Sequence, residues 1–218
     1  MPPIDLRASF PTALDQGRRG TCVAFATTAG HEFLRFRQNG KWEDLSEETL
    51  HCRCKLLDGD RDSGTSFQNA NEVLRDFGQP PEEVWVYDKF RKDFRGDYVL
   101  PLGVEDPKLC FKATFSPITS MPDVIVKNLE LGNAVIAGLS LCESFLFAPS
   151  GRVSMPMAKE SMIGQHAVLI VGWEYDLQAA RWFIFRNSWG TRWGDQGYGY
   201  IKAEYLEMYG CATLVFDF

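Results

Sequence analysis

The chain has 218 residues, 45% of them hydrophobic, enough for a sizeable core in one compact domain or two packed lobes. Its 29 acidic residues outnumber 23 basic ones for a net charge of −6, which disfavours nucleic acid, a partner that demands clustered Lys and Arg. No stretch approaches the roughly 18 apolar residues of a membrane span, and Met1-Pro2-Pro3-Ile4-Asp5-Leu6-Arg7 lacks the basic and apolar regions of a secretory signal, so a cytoplasmic protein with no membrane partner is expected.

Along the chain, the run Asp15-Gln16-Gly17-Arg18-Arg19-Gly20-Thr21-Cys22 leads into an amphipathic pattern that predicts a helix over residues 22–38. Val23, Ala26, Ala29, Phe33 and Phe36 fall near one face, and Asn39-Gly40 is the stop. Cys22 thus sits at a helix N-terminus, where amide donors and the helix dipole favour thiolate over thiol. A second helix starts at Ser46, an N-cap followed by Glu47 and Glu48, and stops near Asp58-Gly59; a third covers residues 66–77 and closes at Gly78. Residues 82–110 lose periodicity, and their Pro, Gly and mixed charges mark a connection. Strand-like runs follow at 112–117, 134–141, 166–173, 182–186, 198–202 and 212–218, with one helix at 122–131. Helices first and strands second predicts an α+β fold with segregated halves.

A nucleophilic thiol needs a base. Among three histidines, His166 stands out because Gly164-Gln165-His166 runs directly into Ala167-Val168-Leu169-Ile170-Val171, which anchors the imidazole on a strand. Asn187, in Asn187-Ser188-Trp189-Gly190 at the end of the next strand, could orient that imidazole. His31 and His51 fall inside predicted helices and read as structural or surface positions. Cys52 and Cys54 lie beside His51, but a C-x-C pair on a helix points its side chains about 200° apart, so no metal is expected there.

Three separated motifs make the chain resemble the papain-like cysteine peptidases: Q-G-x-x-G-x-C at 16–22, H-A-V at 166–168, and N-S-W-G-x-x-W-G-x-x-G-Y at 187–198. His166 follows Cys22 by 144 positions, inside the papain-type separation of about 130–150, while Asn187 at 165 positions slightly exceeds it. Gly64-Thr65-Ser66 and Val84-Trp85-Val86-Tyr87-Asp88 also read like bacterial members of the family.

The resemblance implies a single papain-like peptidase domain of two lobes, mainly helical over 1–110 and antiparallel β-barrel-like over 111–218, with the active-site cleft between them. It implies a Cys22–His166–Asn187 triad, with Gln16 in the oxyanion hole and Trp189 shielding the His–Asn bond. Substrate would bind as an extended strand against Gly64 and Thr65, which replace a glycine pair, and against Gly138, Ala167 and Trp189, with Phe216 at a pocket floor. Arg18 and Arg19 would border the pocket for the residue before the cut and favour an acidic or polar one. Arg19 stands where extracellular relatives carry a disulfide cysteine, so the six cysteines are expected as reduced thiols. Val23 replaces the aromatic residue that follows the nucleophile in papain itself.

No cofactor or metal is implied. With no pro-segment visible, three alternatives stand: a protein born active with narrow specificity, a module cut from a longer chain, or control of access by a regulatory partner, domain or ligand. The activity implied is that of a bacterial, cytosolic-type cysteine endopeptidase acting on a limited protein target. Alternatives are an acyl transferase or peptide ligase on the same triad, and a peptide-binding pseudoprotease. An exopeptidase would need residues 144–164 to block one end of the cleft.

Overall fold

The computed structural model describes residues 2–58, 64–91 and 99–218. Gly59, the expected stop of the second helix, and residues 92–98 of the expected connection lie outside the described residues. The chain forms two compact units, and their boundary is not the expected one at 110/111. One unit holds the residues up to Asp15 together with Ser116–Val215, and the other holds Gln16–Phe115 and Phe216–Phe218.

The second unit is built on three helices. α1 (Cys22–Asn39) is buried all round from Val23 to Leu34 rather than along the single apolar face expected. Its buried polar residues Thr28, His31 and Glu32 are admitted because each meets a partner. His31 Nδ1 lies 3.1 Å from Gln79 Oε1, whose own Nε2 donates to Thr28 Oγ1 at 2.7 Å and to the Ser46 carbonyl at 3.0 Å. That amide therefore presents its oxygen to His31, whose Nδ1 must donate, making this a satisfied core histidine. Glu32 Oε1 accepts the Leu45 N–H at 2.8 Å. Gly40, in the left-handed region, closes the helix by donating to the Phe36 carbonyl at 2.8 Å.

α2 (Glu47–Asp58) begins after Ser46, whose Oγ accepts the Thr49 N–H at 3.1 Å, and α3 (Phe67–Asp76) begins after Ser66, which caps Asn69 in the same way. The last three residues join this unit through Arg37, whose guanidinium lies 4.5 Å from the Phe218 ring, and through the Thr114 hydroxyl, which donates to Asp217 Oδ2 at 2.8 Å.

The first unit is organised around a sheet of eight strands: β1 (Ile4–Asp5), β2 (Phe115–Pro117), β3 (Val135–Cys142), β4 (Arg152–Val153), β5 (Met162–Tyr175), β6 (Arg181–Arg186), β7 (Tyr198–Lys202) and β8 (Gly210–Phe216). Their order is β2-β8-β3-β5-β6-β7-β4, with β1 on β5. Three helices accompany them: α4 (Pro122–Glu130), opened by Pro122 in the first turn, the short α5 (Glu143–Leu146), and α6 (Ala203–Tyr209). β5 starts four residues earlier than expected because its antiparallel ladder with β3 extends from Val135↔Ile170 to Cys142↔Met162.

The core of this unit gathers Val135, Leu139, Ile170, Trp173, Phe183 and Phe185, closed by Tyr205 and Leu206 of α6. The N-terminal segment belongs here because Ile4 pairs with Trp173 and because Arg186 donates to the Pro11 carbonyl at 2.7 Å and the Thr12 carbonyl at 2.8 Å. Gly172 makes that pairing possible: a Cβ there would lie 2.4 Å from the Ile4 carbonyl oxygen. The expected strand at 112–117 shortens to β2, and ahead of it the Ala113 N–H donates to the Leu74 carbonyl at 3.4 Å instead of joining the sheet.

Candidate active site

His166 is the fifth residue of β5, opposite Leu139 on β3, and its ring is almost wholly buried. Its Nε2 lies 2.7 Å from Asn187 Oδ1. The same oxygen accepts the Ser188 backbone N–H at 2.9 Å, and a backbone N–H can only donate, so this atom is the carbonyl oxygen of the amide. The hydrogen on the imidazole therefore sits on Nε2, and Nδ1 is left as the basic nitrogen. Asn187 is itself fixed by its N–H, which donates to the Gly197 carbonyl at 2.9 Å just after β6 ends.

Aromatic rings enclose this pair. Trp189 lies 4.7 Å from the imidazole centroid at a 32° tilt, and Phe145 of α5 approaches the imidazole edge-on at 6.0 Å. Phe145 in turn stacks on Trp193 at 6.0 Å and meets Trp189 edge-on at 5.7 Å. Burial pushes the His166 pKa down to about 4, against the opposing pull of the Asn187 hydrogen bond. Sequence reasoning missed Phe145, one of 16 phenylalanines with no motif around it.

Within the helical unit, Gln16 and Cys22 sit in one loop that runs into α1, where Cys22 is the first helical residue and half-exposed. The N–H groups of a helix's first turn have no partner inside the helix, which gives this end its donor character. Gln16 is buried, and its Nε2 donates to the Arg19 carbonyl at 2.6 Å. Gly17 adopts φ +66°, and a Cβ there would meet Lys89 at 3.0 Å, so the bend that carries Gln16 toward the helix needs glycine.

Gly138 and Ala167 are register partners in β3 and β5, one step from His166, and both are buried. Gly64 and Thr65 lie just before α3 in the helical unit. The Gly64 carbonyl accepts Lys55 Nζ at 2.8 Å, and the Thr65 hydroxyl donates to Asp58 Oδ1 at 3.2 Å.

One expectation is overturned. Arg19 does not offer its charge to a substrate side chain: it is buried and bonded to Glu48 of α2, whereas Arg18 is exposed. Phe216 is buried, stacked on His31 at 5.8 Å and edge-on to Phe115 at 5.4 Å.

Cys52 and Cys54 are buried in α2, and desolvation pushes the Cys54 thiol up to about 12 and the Cys52 thiol higher still, so both are held as neutral thiols. Among the described residues, no group of three or more His, Cys, Asp and Glu side chains could hold a metal ion, and no helix is long and apolar enough to cross a membrane.

The family model described as papain family cysteine protease matches residues 3–216. Among solved structures, the chain is similar to xylellain, a cysteine protease from Xylella fastidiosa, with a TM-score of 0.83 and 27% identity over 100% of this chain and 86% of that one. Bromelain from Ananas comosus, solved in complex with the E64 inhibitor, has a TM-score of 0.73 at 19% identity over 98% of both chains, a likeness of fold alone. Among curated proteins, an uncharacterised peptidase C1-like protein of Acanthamoeba polyphaga mimivirus is 28% identical over 93% of this chain and 70% of its own length. Cathepsin L of Sarcophaga peregrina is also 28% identical, over 91% of this chain, which spans 57% of that protein.

Proposed function

Because the chain belongs to the papain family of cysteine proteases, we propose that it hydrolyses internal peptide bonds of a limited protein target through Cys22, His166 and Asn187. The observation that carries this reading is the orientation of the imidazole, with Nε2–H held by Asn187 Oδ1 and Nδ1 left as the base. In the proposed reaction Nδ1 takes the Cys22 proton, and the thiolate attacks the substrate carbonyl. The oxyanion is met by the Cys22 N–H and by a hydrogen of Gln16 Nε2. The Nδ1 proton then passes to the departing amine, and water hydrolyses the thioester on the same path in reverse.

The depressed His166 pKa, about 4 from burial, favours a neutral imidazole at rest, which in this reading takes the Cys22 proton as the thiol reacts. An imidazolium is costly in so buried a place, and only an adjacent anion such as the Cys22 thiolate offsets that cost. We also propose that substrate binds as an extended strand with contacts to Gly64 and Thr65 and to Gly138 and Ala167. A reducing compartment such as the cytoplasm suits this chemistry, because an oxidised Cys22 cannot attack.

The test is covalent labelling by a peptidyl thiol-directed inactivator, read by intact mass in the wild type, Cys22→Ala and His166→Ala. One adduct, absent in Cys22→Ala and formed at least about 100-fold more slowly in His166→Ala, is expected for an assembled nucleophile and base. Labelling spread over several thiols, or unaffected by His166→Ala, would overturn the reading. Following the acyl group of a labelled peptide in the presence of added amine separates hydrolysis from transfer.

A further inference from the structure

We propose that Glu48 is a positioning residue for the oxyanion side of this reaction, acting on the loop 16–22 through Arg19; the proposal rests on the roles given above to Cys22 and Gln16. Glu48 is wholly buried in the first turn of α2, and Arg19 grips it with both arms of the guanidinium, Nη1 to Oε2 at 2.5 Å and Nη2 to Oε1 at 3.0 Å. The pair extends into a frame. Arg91 Nε lies 3.1 Å from Glu48 Oε1, the Asp88 N–H donates to Oε2 at 3.2 Å, and Arg19 Nη1 also donates to the Asp88 carbonyl at 2.8 Å. The Arg19 guanidinium lies over the Tyr87 ring at 4.7 Å.

That frame reaches the proposed catalytic groups through the backbone. The carbonyl of Arg19 is the acceptor for Gln16 Nε2, at 2.6 Å. Tyr87 donates its hydroxyl hydrogen to the Gln16 carbonyl at 2.8 Å and lies 2.8 Å from Thr21 Oγ1, the residue before Cys22. A phenol has one hydrogen, so the Thr21 hydroxyl must be the donor in that second bond. Both ends of the loop are thereby tied to the segment that Glu48 holds, while Gly17 and Gly20 leave the loop's own backbone permissive. A bidentate arginine–carboxylate pair fixes direction as well as distance, which an apolar contact of the same volume does not. The buried pair therefore sets where the Arg19 carbonyl points and, through it, where the Gln16 amide points.

The experiment compares wild type with Glu48→Gln, Arg19→Lys, the double variant Arg19→Met with Glu48→Met, and Cys22→Ala. Active sites are titrated with a peptidyl inactivator, and kcat, KM, inhibition by a peptide aldehyde, alkylation by iodoacetamide and Tm are measured. Per titrated site, Glu48→Gln and Arg19→Lys are expected to lose about 10- to 100-fold in kcat, with KM within about threefold. Aldehyde affinity should fall in parallel, because the aldehyde adduct places an oxyanion beside Gln16. Iodoacetamide alkylation, which forms no oxyanion, should stay within about threefold.

The double variant removes both charges together and is expected to keep its fold without regaining kcat, so it carries the test where a single variant fails to fold. A lowered Tm with unchanged kcat per site, or full kcat in the double variant, would overturn the proposal. Activity persisting in Cys22→Ala would instead remove the reading on which it rests.

Discussion

Two N–H donors converge on Asn187 Oδ1, one from the His166 imidazole and one from the Ser188 backbone, and every element of the His166 geometry depends on that oxygen. Asn187→Ala strands both donors in a buried place at a cost of about 1–3 kcal/mol each, and frees the ring to turn or change tautomer. The expected outcome is a kcat lower by about 10- to 100-fold with KM little changed, read per titrated active site, and a lower urea midpoint. His166, Asn187 and Trp189 were legible from local words in the sequence, because each stands at a strand end or in a Gly- and Trp-rich turn. Phe145 and Glu48 were not. Their roles come from partners 21 and 29 positions away, His166 and Arg19, and no local pattern distinguishes an aromatic or an acid with such a partner from one without.

At the scale of elements, the three helices of one unit and the main strands of the other followed from periodicity and caps, with ends displaced by a few residues where ladders ran on, as in β5. α1 read as one-sided because its polar residues were counted as solvent-facing; inside the unit Thr28 and His31 meet Gln79, and Glu32 meets the Leu45 N–H. β1 was invisible because two residues carry no period, and the strand exists only by pairing with Trp173 and Gly172. That dependence is testable. Gly172→Ala would press a methyl group against the Ile4 carbonyl, and overpacking of this kind costs about 1–3 kcal/mol. The urea midpoint should fall, and limited proteolysis should cut residues 2–15 faster than in the wild type. Unchanged protection of that segment would mean that its other ties, among them Arg186 to the Pro11 and Thr12 carbonyls and Arg7 to Asp195, hold it without β1.

Over the whole molecule, buried ionisable groups set how stability varies with pH. Burial, with Asp44 and Glu48 nearby, raises Glu82 to about 7 against the opposing Tyr87 N–H, and burial among Glu32, Glu82 and Asp44 raises Glu47 well above the carboxylate range. Both acids bind more protons folded than unfolded, so their contribution is full below about 4.5; that of Glu82 is lost as pH rises through about 7. His31 works the other way. Its pKa, lowered to about 4 by burial and by Arg35 against the pull of Gln79 and Glu43, gives a contribution that is full above 6.5 and lost as pH falls to 4. The two trends oppose between about 4.5 and 6.5, and only the carboxyl trend acts above. The urea midpoint should therefore be lower at pH 8 than at pH 6, and Glu82→Gln should reduce that difference; an equal fall in the variant would assign it to other groups.

The two units also share the chain in alternation, changing over after Asp15, Phe115 and Val215. A ribosome releases β1 before the helical unit, yet its partner Trp173 is 169 positions further on, with nearly all of that unit made in between. The opening strand must wait unpaired through most of synthesis, and neither unit can be lifted out as one uninterrupted stretch. Assembly is therefore a late event that follows the emergence of β5, and exchange between genes would have to move both units together.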